Sequence, residues 1–131
     1  MERLVTITRS PIPMIAAIFG LVGVAAGAFG AHGVDGAQAK AWMDTGSKFQ
    51  LAHVMATLAC VSFANWGARV AMRGAPFFLS GIVLFSGSLY ALALGAPKVL
   101  AMAAPLGGLS FMIGWAILAF AGWQLWQGKA R

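Results

Sequence analysis

The stretch "PMIAAIFGLVGVAAGAFGAHG", residues 13–33, decides the fold. Residues 13–31 contain no Asp, Glu, Lys or Arg, and about 20 apolar residues in a helix cross the hydrocarbon core of a bilayer. On a helix, Gly20, Gly23, Gly27 and Gly30 fall within an arc of about 80°. Small residues let helices approach closely where lipid replaces water. The stretch therefore predicts a transmembrane helix that packs through its glycine face.

Three further stretches, 49–68, 75–95 and 102–126, also contain no Asp, Glu, Lys or Arg. The sequence thus predicts an all-α fold, an integral membrane four-helix bundle that forms a single domain over residues 1–131 with both termini on one side. The connection 32–48 is the longest, and "AQAKAWM" within it predicts one or two turns of interfacial helix. A secretory signal peptide is the alternative for the first stretch, but that stretch is long for a signal core and three more spans follow it.

Composition excludes a soluble domain and a nucleic-acid binder. Sixty per cent of the residues are apolar and nine per cent are charged, against roughly a quarter charged in soluble domains. The net charge of +6 is scattered singly between apolar runs, so no basic face follows a phosphate backbone. The expected partner is membrane lipid, with no nucleic acid.

The basic residues also predict an orientation, because cytoplasmic loops are enriched in Lys and Arg. Three lie on the far side of the predicted bundle: Lys40, Lys48 and Lys98. Six lie on the side of the termini: Arg3, Arg9, Arg69, Arg73, Lys129 and Arg131. We therefore expect both termini in the cytoplasm.

Small residues recur in the later spans and predict close helix contacts there too. Gly87 lies on such a stripe in the third span, and the fourth span carries Gly107, Gly108 and Gly114. Tight packing leaves little room for a water-filled pore. A groove for a lipid or quinone tail remains the alternative use of these stripes.

Two histidines are the candidate chemical groups, since ionisable residues inside membranes usually mark function. His32 ends the first span and His53 lies about one turn into the second, so we expect both in one polar pocket near the non-cytoplasmic interface. Four interpretations of the two histidines are considered: a structural polar cluster, a quinone or proton-relay site, a metal site and a bis-histidine haem site. We expect the structural role, with no metal and no cofactor. The expected members of the cluster are His32, Gln50, His53, Ser88 and Tyr90.

Catalysis has little support in the sequence. The serines of the spans have no adjacent His–Asp arrangement, and no span holds a carboxylate for acid–base or proton-coupled work. The single cysteine, Cys60, excludes an intramolecular disulfide. We therefore expect a protein that is not an enzyme.

Four motifs together are similar to a known family: "GAFGAHG" (27–33), "FQLAH" (49–53), "LFSGSLYALALG" (84–95) and "PLGGLSFMIGW" (105–115). They resemble the bacterial membrane family of domain of unknown function 423, which is related to the small mitochondrial transmembrane protein 256. The resemblance implies a four-span inner-membrane protein and brings no activity. The family's motif positions carry no assigned roles and correspond here to Gly30, His32, Gly33, Gln50, His53, Ser86, Gly87, Ser88, Tyr90, Gly107, Gly108, Gly114 and Trp115.

The expected function is that of an accessory or assembly subunit, which acts through helix–helix contacts as a homo-oligomer or in a larger membrane complex. The alternative is a lipid, quinone or haem binding protein that uses His32 and His53. A transporter ranks third, because the spans lack an acidic residue.

Overall fold

The computed structural model describes residues 9–130, which are all-α and contain no strand. Four α-helices follow one another: α1 (Ile12–His32), α2 (Ala37–Asn65), α3 (Ala75–Ala93) and α4 (Ala103–Trp126). Short 3₁₀ helices, Arg69–Arg73 and Lys98–Met102, precede α3 and α4. The all-α class expected from the sequence is confirmed.

The helix boundaries follow local chemistry. Ser10 Oγ accepts a hydrogen bond from the Ile12 N–H at 3.2 Å, and Pro13 lies in the first turn of α1, where its missing N–H costs nothing. Gly36 and Gly95 have φ values of 90° and 92°. Such angles strain a residue with a Cβ, so glycine allows the chain to turn sharply before α2 and after α3.

The second helix differs most from the sequence expectation. It begins at Ala37, twelve residues before the predicted start, and ends at Asn65. Residues 37–48, expected to be a loop with one or two turns of interfacial helix, are part of this continuous helix. Backbone hydrogen bonds do not require apolar side chains, so the helix extends beyond the apolar run. Lys48 and Asp44, one turn apart, form a 2.7 Å ion pair on its exposed side.

Three segments among residues 9–130 are long and apolar enough to cross a membrane: Ile12–His32, Arg69–Ala93 and Lys98–Trp126. They contain α1, α3 and α4. α2 is not among these segments: its first half carries Lys40, Asp44 and Lys48, and Gln50 and His53 lie near its middle.

The glycine face of α1 lies against α2 in antiparallel register. Gly30 lies opposite Met43, Gly27 opposite Ser47, and Gly20 opposite Val54. Only Ala16, Gly23 and Gly30 of α1 are buried, so the rest of this helix is exposed to varying degrees. α1 is thus attached to the molecule mainly through one narrow face.

The remaining helices enclose a compact core. α3 packs on both α2 and α4, and α4 touches α2 more lightly. Phe78, Cys60, Phe111 and Leu118 are among the buried side chains of this core. Among the described residues, α1 makes no contact with α4.

Two of the glycines expected at helix contacts do not lie at one. A Cβ on Gly87 or on Gly108 would meet no atom of another residue within 4 Å. Gly107 and Gly114 do face α3, where a Cβ would lie 2.5 Å from the Phe85 nitrogen and 2.7 Å from the Phe78 ring, respectively. The adjacent glycines Gly107 and Gly108 therefore have opposite environments, because successive residues of a helix point about 100° apart.

Candidate functional site

The polar interior is organised by α2. Ser47, Gln50, His53 and Thr57 are all buried and project within an arc of about 120° on one side of this helix. Thr57 Oγ1 donates to the carbonyl of His53 in its own helix, whereas the other three side chains reach toward neighbouring helices. The least apolar helix thus supplies most of the buried polar groups.

Gln50 joins three helices. Its Nε2 donates to the Phe19 carbonyl of α1 at 2.6 Å, and its Oε1 accepts from the Tyr90 hydroxyl of α3 at 2.7 Å. These partners fix which end of the amide is nitrogen, because a carbonyl only accepts. The structure therefore brings Gln50 and Tyr90 together.

His53 is held by a donor and an acceptor. Its Nδ1 lies 2.6 Å from the Phe49 carbonyl, and the indole N–H of Trp115 in α4 points at its Nε2 at 3.1 Å. Since the carbonyl only accepts and the indole only donates, the imidazole is neutral, with its proton on Nδ1. Its ring stacks on Phe111, with centroids 3.5 Å apart and planes 10° apart.

This arrangement leaves His53 without a free lone pair. A metal or haem iron needs an unprotonated ring nitrogen, and the one nitrogen that has no proton already accepts from Trp115. Phe111 covers one face of the ring, and only 7% of the residue is exposed. His53 therefore acts as a polar link between α2 and α4.

His32 lies elsewhere. It is the last residue of α1 and is exposed. In the antiparallel register Val54, the neighbour of His53, lies opposite Gly20. Gly20 is twelve residues before His32, or about 18 Å along the helix axis. The prediction that the two histidines share a pocket is wrong, because the early start of α2 places His53 far along that helix.

Ser88 does not join the cluster either. Its hydroxyl donates to the Phe85 carbonyl of its own helix at 2.8 Å. Ser86 makes the contact between helices instead, with a 2.7 Å bond to the Gly46 carbonyl of α2. Thus Gln50 and Tyr90 form one linked pair, while His53 and Trp115 form another.

Sequence reasoning missed Ser47 and gave no role to Ser86 or Trp115. Ser47 Oγ donates to the Gly23 carbonyl at 2.8 Å, across the contact between α1 and α2. The signal for Ser47 was the glycine stripe itself, since a backbone without a side chain offers its carbonyls to a neighbouring serine. Nothing in the one-dimensional pattern pairs Trp115 with His53.

Within the described range, every buried side-chain nitrogen or oxygen has a hydrogen-bond partner. In the same residues, no three His, Cys, Asp or Glu side chains lie together as metal ligands would. Ser47, Gln50, His53 and Ser86 thus use their side chains to link one helix to another.

Comparison with known proteins decides the family. A family model described as "Protein of unknown function (DUF423)" matches residues 26–108. The chain belongs to the DUF423 family. The matched region contains Gln50, His53 and Tyr90 and ends before Trp115. The relation of DUF423 to the mitochondrial protein stays a prediction.

Relatives of this chain are named as membrane proteins. A UPF0382 membrane protein of Haemophilus influenzae is 42% identical over 84% of this chain and 91% of its own length. The UPF0382 inner membrane protein YgdD of Escherichia coli K12 is 40% identical over 80% of this chain and 83% of its own. A UPF0382 membrane protein of Staphylococcus epidermidis is 35% identical over 82% and 91%. No solved structure matches the chain.

Proposed function

We propose that this protein is a non-enzymatic, multi-pass protein of the bacterial inner membrane that serves as an accessory or assembly subunit. The observation that carries the proposal is that every buried side-chain nitrogen and oxygen in residues 9–130 has a hydrogen-bond partner within the protein. Gln50, His53 and Ser86 each hold two helices together. A molecule whose interior is committed to its own packing acts through its outer surface.

The proposed topology has four spans in a four-helix bundle, with both termini cytoplasmic. α2 is the span that composition alone does not support. Its contacts with α1 run from Met43 opposite Gly30 to Val54 opposite Gly20, a length of about 16 Å. A helix that follows a transmembrane neighbour over such a length lies at the same depth. Four spans place the termini together, in agreement with the distribution of Lys and Arg.

Cysteine labelling tests the topology. We expect Lys40→Cys and Lys98→Cys to react with an impermeant maleimide added to intact cells, and Arg69→Cys to react only after lysis. All three side chains are exposed, and the native Cys60 is fully buried, so background labelling is low. The reverse pattern contradicts the orientation. Labelling of Arg69→Cys together with only one of the two lysine variants contradicts four spans.

The outer face of α1 is the proposed contact surface. Met14, Leu21 and Ala25 are exposed and point away from the glycine face. α1 packs mainly on α2 and leaves this face to its surroundings. Because lipid is as apolar as these side chains, a partner helix gains from shape complementarity rather than from burial.

Native mass measurement in a mild detergent tests the accessory role. We expect the purified protein to carry a second copy or a stoichiometric partner, and Leu21→Trp to release it. The matched control is Met112→Trp on α4, at a side chain of similar exposure, 69% against 72%. A wild-type monomer, or an equal effect of both variants, contradicts the proposal.

The alternative use of His32 and His53 as a ligand pair loses its geometric basis. The two residues lie at different depths, and His53 has both ring nitrogens engaged. A bis-histidine haem would need both rings to face one pocket.

A further inference from the structure

A groove separates α1 from α3. Because α1 packs on α2 through its glycine face and touches α3 only slightly, a space of 270 Å³ remains between them. Its walls include Ile18 and Val22 of α1 and Val83 and Gly87 of α3, and its floor is Gln50 with Tyr90. An apolar cavity of about 150 Å³ already takes up benzene. The groove is therefore large enough for a six-membered ring with substituents.

The floor carries unused hydrogen-bonding capacity. An amide nitrogen has two hydrogens, and Gln50 uses one of them on the Phe19 carbonyl. The Tyr90 oxygen donates its proton to Gln50 and keeps its lone pairs. No charged side chain lines the groove, so a complementary ligand is uncharged, mostly apolar, and carries an oxygen that accepts a hydrogen bond.

The depth of the groove narrows the class of ligand. Gln50 lies beside Gly23, which is about 14 to 17 Å from either end of α1. Phosphate headgroups and ester carbonyls of phospholipids lie at the membrane surface and do not reach this depth. A ligand for this floor has its polar atom on a ring that enters the hydrocarbon region. Phe19 and Tyr90 supply aromatic walls for such a ring.

We propose that the groove between α1 and α3 binds a lipid-soluble quinone, with one ring carbonyl accepting a hydrogen bond from Gln50 Nε2 and the prenyl tail leaving between the two helices. The site depends on α1 and α3 crossing the membrane, which is part of the function proposed above, and does not depend on the accessory role. Gly87 lines the groove, and a Cβ there would meet no atom within 4 Å, so a larger side chain at this position would project into open space.

The test uses the purified full chain in nanodiscs and a decyl-substituted benzoquinone as the probe, with binding measured by equilibrium dialysis. We expect saturable binding to the wild type and at least about a tenfold loss of affinity in Gly87→Leu. Gly108→Leu is the matched control, because a Cβ there also meets open space but lies outside the groove. We expect it to bind within about twofold of the wild type.

A second comparison tests the carbonyl contact. Decylbenzene has the same tail and a ring without oxygen. We expect Gln50→Met to weaken benzoquinone binding by about tenfold and to leave decylbenzene binding unchanged. Thermal unfolding of each variant shows whether it is folded. If Gln50→Met does not fold, Tyr90→Phe serves instead, because it removes the hydroxyl that orients the amide.

Three results would overturn the site. Equal affinity for both probes makes the groove a place for any hydrocarbon chain. Binding that is unchanged in Gly87→Leu lies elsewhere. In the third result the wild type does not bind the quinone, its native mass shows a partner, and Gly87→Leu loses that partner. The groove is then a contact site for a protein. That last result leaves the accessory role intact, whereas quinone binding by a partnerless monomer overturns the accessory role and keeps the site.

Discussion

The neighbouring glycines of α4 offer a sharp test of how closely α3 and α4 approach. In Gly107→Ala the new Cβ would lie 2.5 Å from the Phe85 nitrogen, 2.7 Å from the Phe85 Cβ and 2.9 Å from the Gly81 carbonyl oxygen. Ordinary contact needs about 3.5 Å, so the helices must separate by about 1 Å. Two of these three atoms are backbone atoms, which a rotamer change cannot move. In Gly108→Ala the same methyl group meets nothing.

The two substitutions should therefore change the unfolding free energy in opposite directions. Overpacking costs about 1 to 3 kcal/mol, and contact with backbone places Gly107→Ala near the upper end. Exchange of glycine for alanine inside a helix gains up to about 1 kcal/mol. We expect Gly107→Ala to lose about 2 kcal/mol of unfolding free energy net, and Gly108→Ala to gain up to about 1 kcal/mol. The gap of about 3 kcal/mol is more than a hundredfold in the folding equilibrium.

The assay is a titration of dodecyl maltoside micelles with sodium dodecyl sulfate, followed by near-ultraviolet circular dichroism. The pair is internally controlled, since both variants add one methyl group to adjacent positions of the same helix. Equal stability of the two variants would refute the close crossing of α3 and α4 at Gly81 and Gly107.

Three further predictions concern single contacts. Trp115→Phe removes the donor to His53 Nε2 and should cost about 1 to 2 kcal/mol of unfolding free energy, whereas Trp126→Phe, at a highly exposed side chain, should cost nothing in the same titration. Ser86→Ala breaks the bond to the Gly46 carbonyl and should lower the unfolding free energy by about 0.6 kcal/mol. Ser62→Ala loses an exposed bond within α2 and should lower it by less. The opposite order would contradict the role of Ser86 as a link between α3 and α2. Cys60 is fully buried, so a small permeant maleimide should modify it only after the protein is unfolded in dodecyl sulfate. Mass spectrometry of the intact chain would show the modification. Rapid modification of the folded protein would contradict the burial of Cys60.

Hydropathy predicted three of the four helices closely. The expected spans 13–31, 75–95 and 102–126 agree with α1, α3 and α4 to within two residues at each end. Each of these helices ends near a glycine, a proline or a charge, so the end of the apolar run and the end of the helix coincide. In α2 the apolar run and the helix do not begin at the same residue. Its first half carries Lys40, Asp44 and Lys48, and a helical backbone tolerates such residues on an exposed face.

The error in α2 explains the error at the candidate site. The expected start at residue 49 placed His53 one turn from the membrane surface, beside His32. The observed start at Ala37 places it sixteen residues into the helix, so the two histidines separate. Gln50 and Tyr90 were predicted as members of a polar cluster, and they do bond to each other. Periodicity predicted which residue types occupy the interior but did not predict which of them pair, because pairing depends on helix rotation and register.

The polar groups of α2 also determine how firmly α1 is attached. If α1 moved away, Ser47 would lose the Gly23 carbonyl and Gln50 would lose the Phe19 carbonyl. In hydrocarbon each unpaired donor costs several kcal/mol, since no water replaces the lost acceptor. The narrow glycine face, which buries little side-chain surface, is thus held by directional bonds to the backbone. The partner proposed for the outer face of α1 would therefore meet a helix that is held in place, and the proposed quinone groove between α1 and α3 would keep its width.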